Sequence, residues 1–143
     1  MSSAQEQIRA VIEERIAAIR DKDAARAVAP LAEDVVAFEM VPPLALPPGA
    51  ARDVEGLAAW LSGFEEVDVE VRDLRIEADG AVGFAHALHH LKGRRTGGQP
   101  VSLWMRSTLC FRREDGAWKI AHAHTSVPFY PGPEMKAAVD LVP

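Results

Sequence analysis

Residues 118–129 read Trp-Lys-Ile-Ala-His-Ala-His-Thr-Ser-Val-Pro-Phe (WKIAHAHTSVPF). Alternation with a period of two predicts a β-strand. On that reading Trp118, Ile120, His122, His124 and Ser126 share one face, and Lys119, Ala121, Ala123 and Thr125 share the other. Like-facing residues two apart on a strand are roughly 7 Å from each other. Two imidazoles therefore stand side by side next to a Trp and an Ile. Pro128 has no N–H to give to a ladder, so the strand ends near it. The stretch predicts two titratable groups on a largely apolar face. They are either buried histidines, each satisfied by a neighbour, or the lining of a ligand pocket.

Working back from this strand, Asp115-Gly116 is a hairpin turn. It joins a long strand from about Pro100 to Arg113, with Val101, Leu103, Met105, Ser107, Leu109 and Phe111 on one face. Ser102, Trp104, Arg106, Thr108 and Cys110 lie on the other. A glycine-containing loop, Arg94 to Gly98, separates it from a strand over 81–92 that carries Phe84, His86, Leu88 and His90 on one face. On this pattern His89 turns to the surface. Asp79-Gly80 is a second hairpin turn, preceded by a strand from Glu66 to Ile76 in which Val67, Val69 and Val71 alternate with charges.

Before the strands come helices. Ser2 or Ser3, with Gln5 or Glu6, forms a capping box for a helix over residues 4–20, with Ile8, Val11, Ile12, Ile16 and Ile19 at helical spacing. Asp23 caps a short second helix with Ala24, Ala27, Val28 and Leu31 on one side, ended by Pro30. A strand from Val35 to Met40 leads into a proline-rich loop, and Asp53 caps a third helix over 54–63 with Leu57, Trp60, Leu61 and Phe64 inward. A short helix is expected from Glu134 to Val139. Three helices with an early strand among them, followed by a four-strand antiparallel meander, make an α+β chain. The last three strands are apolar on both faces, so one face takes the helices and the other takes a second subunit.

The 143 residues fit one domain, 1–143, able to bury a core without disulfides or metal. A net charge of −5 with no basic cluster longer than Arg94-Arg95 speaks against nucleic acid as a partner. A single cysteine, Cys110, placed mid-strand beside no obvious base, fits a reduced, cytoplasmic setting and makes a poor nucleophile. MSSAQEQIRA has no apolar leader and no run of 18 apolar residues occurs, so neither a signal peptide nor a membrane partner is expected.

The element order, with FEMVPPL (38–44), LWMRSTLCFRREDGAWKIAHAHTSVPF (103–129) and the closing DLVP (140–143), resembles the SnoaL-like, ketosteroid-isomerase-like proteins of the nuclear transport factor 2-like superfamily. Their W-R-T…DG-W…H-x-H-x-S-V-P pattern runs through the second segment. The resemblance covers nearly the whole chain. It implies a cone, also described as cystatin-like: a curved antiparallel sheet wrapped around a long N-terminal helix, with an apolar cavity at the open end.

The cavity residues implied are Phe38, Glu39, Trp60, His86, Trp104, Arg106, Thr108, His122 and His124. An ungapped alignment with steroid isomerases sets Glu39 at their aspartate base, Arg15 at a tyrosine that donates to the oxyanion, and Thr108 near their second donor. A carboxylate in an apolar cleft has its charged form disfavoured, which suits a general base. Arg106, His122 or His124 would then supply positive charge. Trp60, Trp104 and Trp118 favour a flat apolar ligand.

His122, His124, His86 and Glu39 also make a conceivable metal set, but the resemblance implies no metal and no cofactor. The activity expected is isomerase, cyclase or dehydratase chemistry by general acid–base catalysis on an apolar carbonyl compound. The alternative is a non-catalytic module that binds a hydrophobic metabolite. A homodimer is expected through the outer sheet face, including some of Leu103, Met105, Leu109 and Phe111.

Overall fold

The computed structural model describes residues 2–143. Helix α1, Ser3–Arg20, begins with the expected capping box: the Gln5 N–H donates to Ser2 Oγ, and the Ser2 N–H donates to the Gln5 side chain. Helix α2, Ala24–Val28, is capped by Asp23 and stops two residues short of Pro30. Strand β1, Leu31–Phe38, starts earlier than its hydrophobic run suggests, because the Pro30 carbonyl already accepts from the Ile120 N–H. Helix α3 spans Val54–Leu61. Strands β2, Phe64–Asp79, β3, Val82–Arg95, β4, Pro100–Glu114, and β5, Ala117–Ser126, follow.

The strand order is β1-β5-β4-β3-β2. Strands β2 to β5 form the antiparallel meander, whereas β1 lies parallel to β5. The sheet is therefore mixed, with a long N-terminal helix against one face, and it does not close. The tail after Pro131 is built of turns instead of the expected helix. Met135 has φ 48° and follows Gly132-Pro133, and the tail is tied back by hydrogen bonds from Tyr130 to Lys136 and from Ala138 to Pro128.

The core lies between α1 and the inner sheet face. Ile8 and Ile12 pack with Leu31, Val35, Ile76, Ala85, Leu109, Phe111, Trp118 and Ile120. Each of the larger aliphatic and aromatic side chains contributes roughly 1.5–3 kcal/mol by leaving water. Leu109 and Phe111 thus face the helix, which inverts the expected use of the two faces of β4.

Besides a slip at Glu65 near the start of β2, one-residue bulges in β5 and in the middle of β2 redirect side chains. In β5, Cys110 stands opposite His122 but Phe111 opposite Ile120, so Ala121 is the extra residue. In β2, Arg72 pairs with Leu88 but Arg75 with His86, and Asp73 adopts φ 57°. Bulges of this kind bend a strand and flip the side-chain phase beyond them.

Candidate functional site

The bulge at Ala121 puts His122 and His124 on the face opposite Trp118 and Ile120. His124 stands opposite Thr108, and Ser126 opposite Arg106. His86 and Trp104 lie on this same outer face of β3 and β4. The expectation that His86, Trp104, Arg106, Thr108, His122 and His124 line the interior is therefore corrected.

Their surroundings on the outer face are specific. His122 donates Nδ1–H to the Val36 carbonyl at 2.7 Å. Phe38 meets the rings of His122 and His124 edge-on at 4.7 and 5.4 Å. Arg106 Nε donates to Ser126 Oγ at 3.2 Å. His90 stacks on Trp104 at 4.5 Å, with the Arg72 guanidinium above the same indole. Trp60 packs against Phe64 and stays 44% exposed instead of turning inward.

The inner face holds a different group. Ala85, Ala87, Ser107 and Leu109 are buried, but further along the same strands His89, Leu91, Leu103 and Met105 are only half-buried. Val71 and Thr125 are half-buried with them. The helices cover one half of this face fully and the other half in part. In the partly covered half, β3 brings His89 between Val71 and Met105. Helix α1 supplies Arg15, three residues after Ile12 and four before Ile19. Arg15 Nε donates to the Ala27 carbonyl at 3.2 Å. Among the described residues no carboxylate lies within ion-pairing distance of this guanidinium.

The electrostatics follow from this placement. Burial lowers the Arg15 pKa from its ordinary value, and the nearby Glu39 carboxylate raises it again. Burial also pulls His89 down to about 4, with the Arg15 charge adding to the effect. At neutral pH His89 is an uncharged imidazole beside a guanidinium, with one ring nitrogen able to donate and one able to accept.

Of the expected catalytic residues, only Glu39 lies near this group. It follows directly after β1 and is exposed. The conceivable metal set is split, with the histidines outside and Glu39 within reach of Arg15. Among the described residues no group of three His, Cys, Asp or Glu is placed to hold a metal ion.

Arg15 and His89 were both within reach of sequence reasoning. Ile8, Ile12, Arg15 and Ile19 fall on one helical stripe at intervals of four, three and four. A charge in that stripe is the signal. The alternation Phe84, His86, Leu88, His90 points to the other face of β3 as the inner one, which sends His89 outward, whereas the register places His89 beside Val71 and Met105 on the inner face.

The SnoaL-like domain profile matches residues 8–130. The chain belongs to the SnoaL-like family. Among solved structures, this SnoaL-like chain is similar to a nuclear transport factor 2-like protein of unknown function from Pseudomonas putida KT2440, with 29% identity, TM-score 0.86, and coverage of 100% of this chain and 99% of the other. It is also similar in fold to a proposed dehydratase from Streptomyces avermitilis, with 15% identity, TM-score 0.76 and coverage of 87% and 97%. A proposed ketosteroid isomerase from Shewanella frigidimarina is 20% identical, with TM-score 0.67 and coverage of 82% and 92%. No curated protein matches the SnoaL-like chain. No helix among its described residues is long and apolar enough to cross a membrane.

Proposed function

We propose that the partly covered inner face is a ligand pocket, and that the chain is a cofactor-independent enzyme of the isomerase, cyclase or dehydratase kind. It would act on a small apolar molecule bearing a carbonyl. The observation that carries this reading is the neutral His89 imidazole beside the Arg15 guanidinium, in apolar surroundings. Proton abstraction next to a carbonyl needs an unprotonated base and a group that stabilises the oxyanion that forms. His89 is the base: it takes the proton on its free nitrogen and returns it at the end. Arg15 faces the developing negative charge. Glu39, at the rim, offsets part of the Arg15 charge from beyond ion-pairing distance. Fold relatives described as a dehydratase and an isomerase support the same class of chemistry.

The test is a screen of cyclic enones, β-hydroxy ketones and polyketide-like ketones for turnover, repeated with His89→Gln and Glu39→Gln. His89→Gln is expected to lower the chemical step about 10²-fold or more with binding nearly intact, and Glu39→Gln to have a smaller effect. Binding without turnover across the screen would replace the enzyme with a binding module using the same pocket.

We also propose that the outer face joins two copies of the chain. Phe38, Phe84 and His86 present partly exposed rings there, alongside Leu88, Trp104 and His124. A sheet face that mixes these rings with the guanidinium groups of Arg72 and Arg106 has the composition of a surface that a second copy can cover. Leu109 and Phe111, expected at this interface, belong to the core instead, and Leu103 and Met105, expected there too, lie on the inner face with His89 and Leu91.

A further inference from the structure

We propose that the molecule bound at the inner face is a carboxylic acid, held as its anion by Arg15. This rests on the inner face being the ligand site. The argument begins with where the charge sits. The stripe of α1 that carries Ile8, Ile12 and Ile19 faces the sheet, and at Arg15 it presents a guanidinium in place of a fourth hydrophobe. Taking such a charge from water is costly unless it is paired and hydrogen-bonded. A guanidinium has five N–H donors. Here Nε is engaged with the Ala27 carbonyl, and the two terminal nitrogens have no acceptor among the described residues. Four donors in a planar fork therefore have no protein acceptor, and since Arg15 is only half-buried they open on the uncovered part of the face, where water or a ligand takes them.

What the fork lacks matches a carboxylate, whose two oxygens accept in parallel from the two terminal nitrogens. A ketone with no acid group would engage part of the fork and add nothing to the partial compensation that Glu39 gives from a distance. A phosphate dianion would bring two negative charges to one guanidinium, with Glu39 nearby adding repulsion. A single negative charge is the best match. His89 adds one neutral donor and one acceptor, neither of them engaged by another described residue. Leu91, Leu103, Met105 and Val71 supply apolar surface, which calls for an aromatic or alicyclic body on the acid.

The experiment compares 2-naphthoate with 2-naphthamide, which has the same shape and no charge. Calorimetry at pH 7.5 and low salt measures affinity, and backbone amide NMR locates binding. Naphthoate is expected to bind at least tenfold more tightly than naphthamide, with shifts centred on Val71, His89, Leu91 and Met105. Arg15→Gln should remove the preference while keeping naphthamide affinity. Arg15→Lys, which keeps the charge but loses the fork, should retain part of the preference, and it stands in if the Gln variant does not fold.

Equal affinity of the two probes in the wild-type chain, with shifts on the inner face, would overturn the anion assignment and leave the pocket standing. A preference that survives Arg15→Gln would do the same. Shifts confined to the outer face around Trp104 and His124, or no binding of either probe, would overturn the pocket itself.

Discussion

Replacing His89 with Gln should change how stability responds to acid. His89 is held at about 4 in the folded chain, whereas an unfolded histidine titrates near 6.5. Between these values the unfolded state binds a proton that the folded state refuses, so stability falls as pH drops through the interval. Integrating the two titrations gives a loss of about 2 kcal/mol at pH 5 and about 3 kcal/mol at pH 4, relative to pH 7.5. For a chain of this size 2 kcal/mol corresponds to about 6 °C in Tm. His89→Gln is neutral at every pH and removes this contribution, leaving all other groups in place, the facing Arg15 and Glu39 included. Urea unfolding of both proteins at pH 7.5, 6 and 5, at one protein concentration, measures the difference. The wild-type chain should lose about 2 kcal/mol more than the variant by pH 5. Parallel pH profiles, or an NMR titration of the His89 ring centred near 6.5, would refute the buried, neutral imidazole on which the proposed site depends.

Two further outcomes are expected. A Cβ at Gly93, where φ is 155°, would lie 2.1 Å from the Glu66 carbonyl oxygen, so Gly93→Ala should cost about 1–3 kcal/mol; an unchanged urea midpoint would contradict the close β2–β3 approach. Sedimentation equilibrium at tens of micromolar should give twice the chain mass, with a total buried area of at least about 1,200 Å²; Leu88→Glu on the outer face should yield monomers, and a wild-type monomer would refute the proposed dimer.

Most element types could be read from the sequence because they rest on short-range signals. The Ser2–Gln5 box, the Asp23 and Asp53 caps, and the Asp79-Gly80 and Asp115-Gly116 turns each declare themselves within four residues. What the alternation could not reveal was its own interruption. Nothing in KIAHAH distinguishes Ala121 as an unpaired residue, because a bulge is decided by the partner strand, and one extra residue moved His122 and His124 to the other side of the sheet. The choice of helix-facing side on β4 failed for a related reason. Both faces are apolar enough to serve, and only the packing of Leu109 and Phe111 under Ile8 and Ile12 decides between them. Arg15 carried a local signal, a charge in an isoleucine stripe, but the value of that position depends on His89, 74 residues away in the chain.

The two rims of the sheet differ in how they are kept from recruiting other chains. On the β1 side the returning loop supplies N–H groups of its own, Leu46 to the Ala37 carbonyl and Gly49 to the Val35 carbonyl, so the backbone groups a foreign strand would seek are already engaged. On the β2 side the rim is long and open, but Glu65, Glu66, Asp68 and Glu70 crowd one end of it and the Asp73 bulge bends the middle. An approaching strand meets charged side chains there, already paired with Arg20, Lys92 and Arg94, and no straight template. Runaway edge-to-edge stacking, the usual hazard of an open sheet, is thus opposed at both rims by unrelated means. If two copies pair through the outer face as proposed, that pairing closes on itself, whereas edge-to-edge contacts would grow without limit.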